Sequence, residues 1–349
     1  MAMIGVVGMM GIVGAPELIA LVLFGALLLY ALSGGADFGG GAWHLFARGP
    51  RGHAQRELIE RAIAPVWEAN HVWLIVAVVL LFTAFPPAYA ALTTRLHMPL
   101  TALLVGVVLR GSALTFRQYG GPGAAHRWQR VFAVASAATP FFLGAVLGAI
   151  TSGAGSAEDV MAWVAPLPLA AGAAAVALCA YLAAVYLAVE AGAAGRPEPH
   201  VAAPADLAGD FRRRALAAHA ALAAAALVCA VAAWADAPGF ARRLFHSPWS
   251  TPLVAAALVA AIGALVALLQ RRFRLARVLA VVEATALMAG WGAAQAPILI
   301  APDLTIRGAA APPVTLAILG PVLVAGAVIV MPALYWLMRV FKAGPAPPA

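Results

Sequence analysis

The sequence predicts an all-α integral membrane protein of about nine transmembrane helices, with its N-terminus outside and its C-terminus in the cytoplasm. Three observations carry this. Of 349 residues, 64% are hydrophobic and only 10% charged, with a mean hydropathy of +0.93, where a soluble domain carries about 25% charged residues. The apolar residues gather in continuous stretches matching the roughly 20 residues that a helix needs to cross ~30 Å of hydrocarbon. They lack the period-two alternation of a membrane barrel. Finally, the loops at 48–61, 117–130, 196–214 and 271–277, with Arg339 and Lys342, hold 17 of the 22 basic residues. The opposite connections have only Arg95, Arg242, Arg243 and Arg307. By the positive-inside tendency the basic loops are cytoplasmic. Polar material is too scarce to cover a soluble enzyme, and apolar residues too abundant for disorder.

The expected spans are 16–36, 66–91, 97–116, 131–152, 160–190, 215–235, 251–269, 278–299 and 314–338. Pro16 and Glu17 suit a first helical turn, Pro at N1 and an acid on the positive dipole end. Gly35 with Gly39, and Gly144 with Gly148, are small residues four apart that permit close helix contact. Residues 191–214, rich in Pro, Ala and charge, are expected to form a cytoplasmic loop. No boundary divides the chain, so 1–349 reads as a single polytopic domain.

Several chemistries are excluded by residue counts. The single lysine, Lys342, leaves no P-loop or Schiff-base lysine. Cys179 and Cys229 stand alone in apolar runs, without the spacing of a zinc, iron–sulfur or c-type haem site. The net charge of +8 follows from topology and calls for no nucleic acid. No metal site is expected on this chain.

Ionisable residues inside spans are costly and are functional candidates by default. At 1.5 Å of rise per residue, Asp37, Glu68, His71, Arg110 and Glu283 all fall in the cytoplasmic half of their spans, and Glu190 ends one as an interfacial charge. Acids at that depth, with water on one side and a counter-charge nearby, can pass protons: burial raises a carboxyl pKa and a nearby Arg lowers it. Glu68 and His71, three apart, share a helix face. Arg110 alone fits a structural counter-charge as well as a proton role; the set of Asp37, Glu68 and Arg110 favours proton handling, and Glu283 fits either. Among the histidines, His44, His71 and His219 lie at inner span ends where one could ligate haem iron, but a bis-His haem needs a matched pair on facing helices.

The runs SGGADFGGGA at 33–42 and APVWEANHVWL at 64–74 resemble subunit II of the cytochrome bd-type quinol oxidases. The family pairs an acid in a Gly-rich helix end, here Asp37, with a motif matched by Pro65, Trp67, Glu68, Asn70, Trp73 and Leu74. Phe85–Pro86, and Arg110 followed by Phe116–Arg117, also match, while 290–316 is similar to the branch called cyanide-insensitive. The resemblance implies two four-helix bundles plus one peripheral helix, in a subunit that is not itself catalytic and carries no haem. It implies a heterodimer with a haem-binding subunit I, which holds two b-type haems and one d-type haem and reduces dioxygen with quinol. It further implies a prokaryotic inner-membrane location, a cytoplasmic proton path through subunit II and, in some members, a small accessory subunit, an oxygen route or a bound quinone. The sequence departs from the pattern in four places: Glu68 replaces Asp, Ala69 replaces Gly, His71 stands where Gln or Glu is common, and the family's acid between Arg110 and Phe116–Arg117 is absent, with Ala113, Leu114 and Thr115 there instead. The competing reading is a proton-coupled secondary transporter, a class that often shows broken mid-membrane helices and repeated halves; here the acids sit toward one face and no repeat is evident.

Overall fold

A computed structural model describes residues 14–63, 67–119, 122–153, 160–194 and 206–342. Twelve α-helices account for nearly all of them. In chain order these are α1 (Ala15–Leu45), α2 (Gly52–Ile63), α3 (Trp67–Ala84), α4 (Pro86–Arg95), α5 (His97–Tyr119), α6 (Pro122–Ser152), α7 (Pro166–Ala194), α8 (Leu207–Asp236), α9 (Pro238–His246), α10 (Thr251–Leu269), α11 (Phe273–Gln295) and α12 (Pro313–Lys342). A short antiparallel hairpin, β1 (Ile298–Ile300) and β2 (Leu304–Thr305), lies between α11 and α12.

Among the described residues, seven helices are long and apolar enough to cross a membrane: α1, α6, α7, α8, α10, α11 and α12. Helices α3 and α4 meet that test only as a pair, bent by 113°, and the apolar part of α5 is shorter. The expected stretch 66–91 is thus divided. Pro86 and Pro87 give no backbone N–H, so the α3 ladder cannot continue through them; α3 stops at Ala84 and α4 turns away. The expected span 278–299 ends at Gln295, and its last residues enter the hairpin. The hairpin is tied to neighbouring helix ends by Ala301 N–H to the Ile150 carbonyl (3.0 Å) and, just beyond, Ala311 N–H to the Ala84 carbonyl (2.8 Å).

The interval 191–214 is not one loop. Residues 195–205 lie outside the described set, but Asp206 caps α8 by accepting from Gly209 N–H at 2.8 Å, and the helix is under way by Leu207. A side-chain oxygen at that position satisfies a first-turn N–H and sets the start.

Helix α7 is the centre of the assembly. It packs on α1, α6, α8 and α11, while α5 packs on α6, α10 on α11, and α12 makes its main helix contacts with α1 and α3. Tyr181, Ala183, Ala184, Val185, Leu187 and Ala188 of α7 are wholly buried. Lipid tails are as apolar as leucine, so close van der Waals contact holds such helices together. Both small-residue pairs expected to allow this face α7: Gly35 meets Leu182 and Gly39 the Cys179 carbonyl, while Gly144 meets Ala171 and Gly148 meets Pro168. The Trp43 indole N–H reinforces the α1–α7 contact with a 2.8 Å bond to the Ala180 carbonyl.

Candidate functional site

The run 33–42 is a packing node on α1, in which each glycine admits a different neighbour. A Cβ would meet Asn70 at Gly34, the α7 backbone at Gly39, Ile63 at Gly40 and Ser136 at Gly41. Asp37 sits among them, fully buried. Arg110 of α5 reaches it with both terminal nitrogens: Nη1 donates to Oδ2 at 2.6 Å and Nη2 donates to Oδ1. Arg110 Nε donates to Ser136 Oγ of α6 at 3.0 Å. Pro140 has no N–H for the Ser136 carbonyl, so the α6 ladder is interrupted at the turn that meets Arg110.

The guanidinium lies over the Phe38 and Phe132 rings at 4.5 and 5.1 Å, a cation–π setting on both sides. Two-point pairing fixes orientation as well as charge. The result is a closed, neutral ion pair joining α1, α5 and α6. It ties the three helices together at one point.

Asn70 of α3 is also fully buried. Ser33 Oγ lies 2.8 Å from Asn70 Oδ1 and 2.6 Å from the Leu29 carbonyl, so one hydroxyl proton serves one acceptor at a time. Asn70 Nδ2 has no protein acceptor. Trp73 packs against the cluster of Tyr30, Phe38 and Cys179. His71 is half-buried and within electrostatic reach of Asp37 and Arg110. Pro65, and the side chains of Trp67 and Glu68, lie outside the described residues.

Glu283 is not part of this group. It lies across α7, buried on α11, with Oε2 3.8 Å from His219 Nδ1 of α8. Tyr181 stands beside them, its ring centroid 4.8 Å from that of His219. Glu190 faces Arg277 at 4.0 Å, both partly exposed. His44 Nε2 is 3.1 Å from Glu60 Oε1 and 3.2 Å from Gln129 Nε2, donating to the first or accepting from the second according to its tautomer. His44, His71 and His219 thus occupy three separate neighbourhoods. Among the described residues no group of three or more His, Cys, Asp or Glu could hold a metal ion.

The basic end of the molecule has a clamp that the sequence reading missed. Asp210, almost fully buried near the start of α8, accepts from Arg51 (2.6 Å), Gln55 (2.8 Å) and Arg213 (2.6 Å). Arg214 donates to Gln55 Oε1 at 2.7 Å and to the Phe46 carbonyl at 2.9 Å. Asp206 followed by Gly209 was the available signal for a helix start, obscured by the charge run around it.

The family model described as cytochrome bd terminal oxidase subunit II matches residues 15–341. The chain belongs to that family. It is 30% identical over 105 residues to the putative cytochrome bd menaquinol oxidase subunit II of Bacillus subtilis (strain 168), covering 30% of each chain. It is 28% identical over 134 residues to the cytochrome bd-I ubiquinol oxidase subunit 2 of Escherichia coli (strain K12), covering 38% of this chain and 35% of that one. The alignments therefore span about a third of these curated relatives. The bd oxidase structure from Geobacillus thermodenitrificans shares the fold, with a TM-score of 0.78 at 22% identity, over 95% of this chain and 99% of that one. Membership of the subunit II family and several apolar helices make this a multi-pass membrane protein, and the motif resemblance at 33–42 and 64–74 is established as kinship.

Proposed function

We propose that this chain is the haem-free subunit II of a respiratory quinol:oxygen oxidoreductase in a prokaryotic inner membrane. It scaffolds a haem-binding subunit I, with two b-type haems and one d-type haem on that partner, and supplies a cytoplasmic proton path for reduction of dioxygen to water. Quinol and dioxygen are substrates of the complex, to which a small accessory subunit belongs in some members. Nine spans result if the bent α3–α4 pair and α5 each cross once. They group as α1, α3–α4, α5 and α6 in one bundle and α7, α8, α10 and α11 in the other, with α12 peripheral. The cytoplasmic face is the one with the clamp around Asp210.

The observation that carries the proton role is the bidentate Asp37–Arg110 pair, buried on the Gly-rich node beside the α3 motif. A fixed charge pair at that point orients a proton path running past it. In this reading Glu68 and His71 carry the proton inward from the cytoplasm, the Asp37–Arg110 pair sets the field and the helix spacing, and Glu283 belongs to a separate arm. The family match over residues 15–341 does not favour the competing transporter.

The test is Glu68→Gln in the purified complex. Oxygen consumption should fall, by roughly 100-fold where proton delivery limits turnover, with haem content and assembly intact. An unchanged rate would reduce Glu68 to a structural role.

A further inference from the structure

A second buried polar cluster lies on the other face of α7. Tyr181 is wholly buried, Glu283 is 4% exposed and His219 8%. They come from three helices, α7, α11 and α8, and converge inside an apolar shell of Ala215, Ala218, Leu222, Ala276, Ala280 and Ala284. Tyr181 Oη, His219 Nδ1 and Glu283 Oε2 have no hydrogen-bond partner of normal geometry, although the Tyr181 hydroxyl lies close enough to the Glu283 carboxyl to act on it. The imidazole–carboxyl separation of 3.8 Å is too long for a direct bond and short enough for one water to touch both. A buried polar group without a partner loses its hydration with nothing in return. Three converging at one point make a polar site of the kind that holds internal water.

We propose that Tyr181, His219 and Glu283 form an internal proton-exchange site that binds one ordered water and shares a single mobile proton. The exchange is balanced: starting from imidazolium and carboxylate, the His219 Nδ1–H bond breaks, a proton passes through the water, and an O–H bond forms on Glu283, leaving a neutral imidazole and a neutral carboxylic acid with no change in electron count. Tyr181 Oη donates to the carboxyl or the water and fixes the carboxyl's orientation. A hollow of about 610 Å³ opens toward the basic end of α7 and α11, lined by Val189, Gly192, Phe273, Leu275 and neighbouring arginines. Val189 is eight residues from Tyr181, about 12 Å of helical rise, so bulk water comes within two to three turns of the cluster.

The other charged and titratable groups around Glu283 are few. On α7, Glu190 lies further toward the hollow, beside Arg277 of α11 itself. Helix α10 presents buried alanines at 257, 260, 264 and 267. Arg243 of α9 is spent on the Ala294 carbonyl at the far end of α11, and Asp37 of α1 is closed by Arg110. The local proton balance therefore belongs to these three side chains. The inference adds to the proposed uptake route and is tested separately from it, because its readout is spectroscopic and does not depend on turnover or on Glu68.

The experiment is pH-difference infrared spectroscopy of the purified, haem-replete oxidase complex. The wild type should show a protonated-carboxyl band that titrates and is missing in Glu283→Gln. In His219→Gln and Tyr181→Phe the midpoint of that band should move by roughly one pH unit, the size of one lost hydrogen bond, with haem content unchanged. If Glu283→Gln does not assemble, the two milder variants decide the matter by the shift alone. A carboxyl band that stays in Glu283→Gln, or a midpoint unmoved by both other substitutions, would overturn the proposal.

Discussion

Two buried polar clusters flank α7, and they are built on opposite principles. On the α1 side, Asp37 and Arg110 satisfy one another at two points, with Ser136 and two aromatic rings completing the shell. On the α8–α11 side, Tyr181, His219 and Glu283 approach without closing. The first arrangement is closed and immobile, suited to holding helices at a fixed spacing. The second leaves hydrogen-bonding capacity unused, suited to exchanging a proton or a water. Burial alone does not separate the two roles, since Asp37 and Glu283 are both well buried. What differs is the count of donors that each acid receives.

Substitutions should separate the clusters, and the largest effect is expected at the closed one. Arg110→Ala leaves Asp37 as an uncompensated buried charge, which should cost about 3–5 kcal/mol and be read as loss of haem-replete complex or a steep drop in its unfolding temperature. Adding Asp37→Leu to an Arg110→Met background should restore much of that loss; no restoration would mean that the pair is not the closed unit described. A smaller effect is expected for Gly39→Ala. Its Cβ has no room against the Cys179 carbonyl, so the α1–α7 contact must open, at about 1–3 kcal/mol in the same melting assay. The smallest is Glu283→Gln, which keeps shape and hydrogen-bonding capacity and should alter the unfolding temperature by less than the equivalent of about 1 kcal/mol. A Glu283→Gln loss as large as that of Arg110→Ala would erase the distinction between the clusters.

The fold was legible in the sequence where hydropathy is the governing force. The span 251–269 coincides with α10, because Thr251–Leu269 is apolar throughout and bounded by polar residues. Legibility failed where backbone chemistry overrides composition. Phe85, Pro86 and Pro87 are apolar, so the stretch 66–91 looked continuous although proline ends α3. Residues 296–300 are apolar too, and only tertiary contacts distinguish their strand from the end of a helix. At 207–214 the error ran the other way: a charged run read as solvated is helical and held down by Asp210. At the site, an arginine in lipid demanded an acid, but several acids at similar depth left the choice open until α1, α5 and α6 were assembled. Tyr181 gave no signal at all, since a tyrosine within an Ala-rich span is indistinguishable from core packing.

On the proposed function, charged side chains in the inner half of this subunit serve proton delivery to chemistry on a neighbouring polypeptide. Its most direct test is proton uptake from the cytoplasmic side during a single turnover of the complex in vesicles, wild type against Glu68→Gln. Slowed uptake with normal haem spectra is expected; uptake at the wild-type rate, with haem equally intact, would rule out a proton path through Glu68.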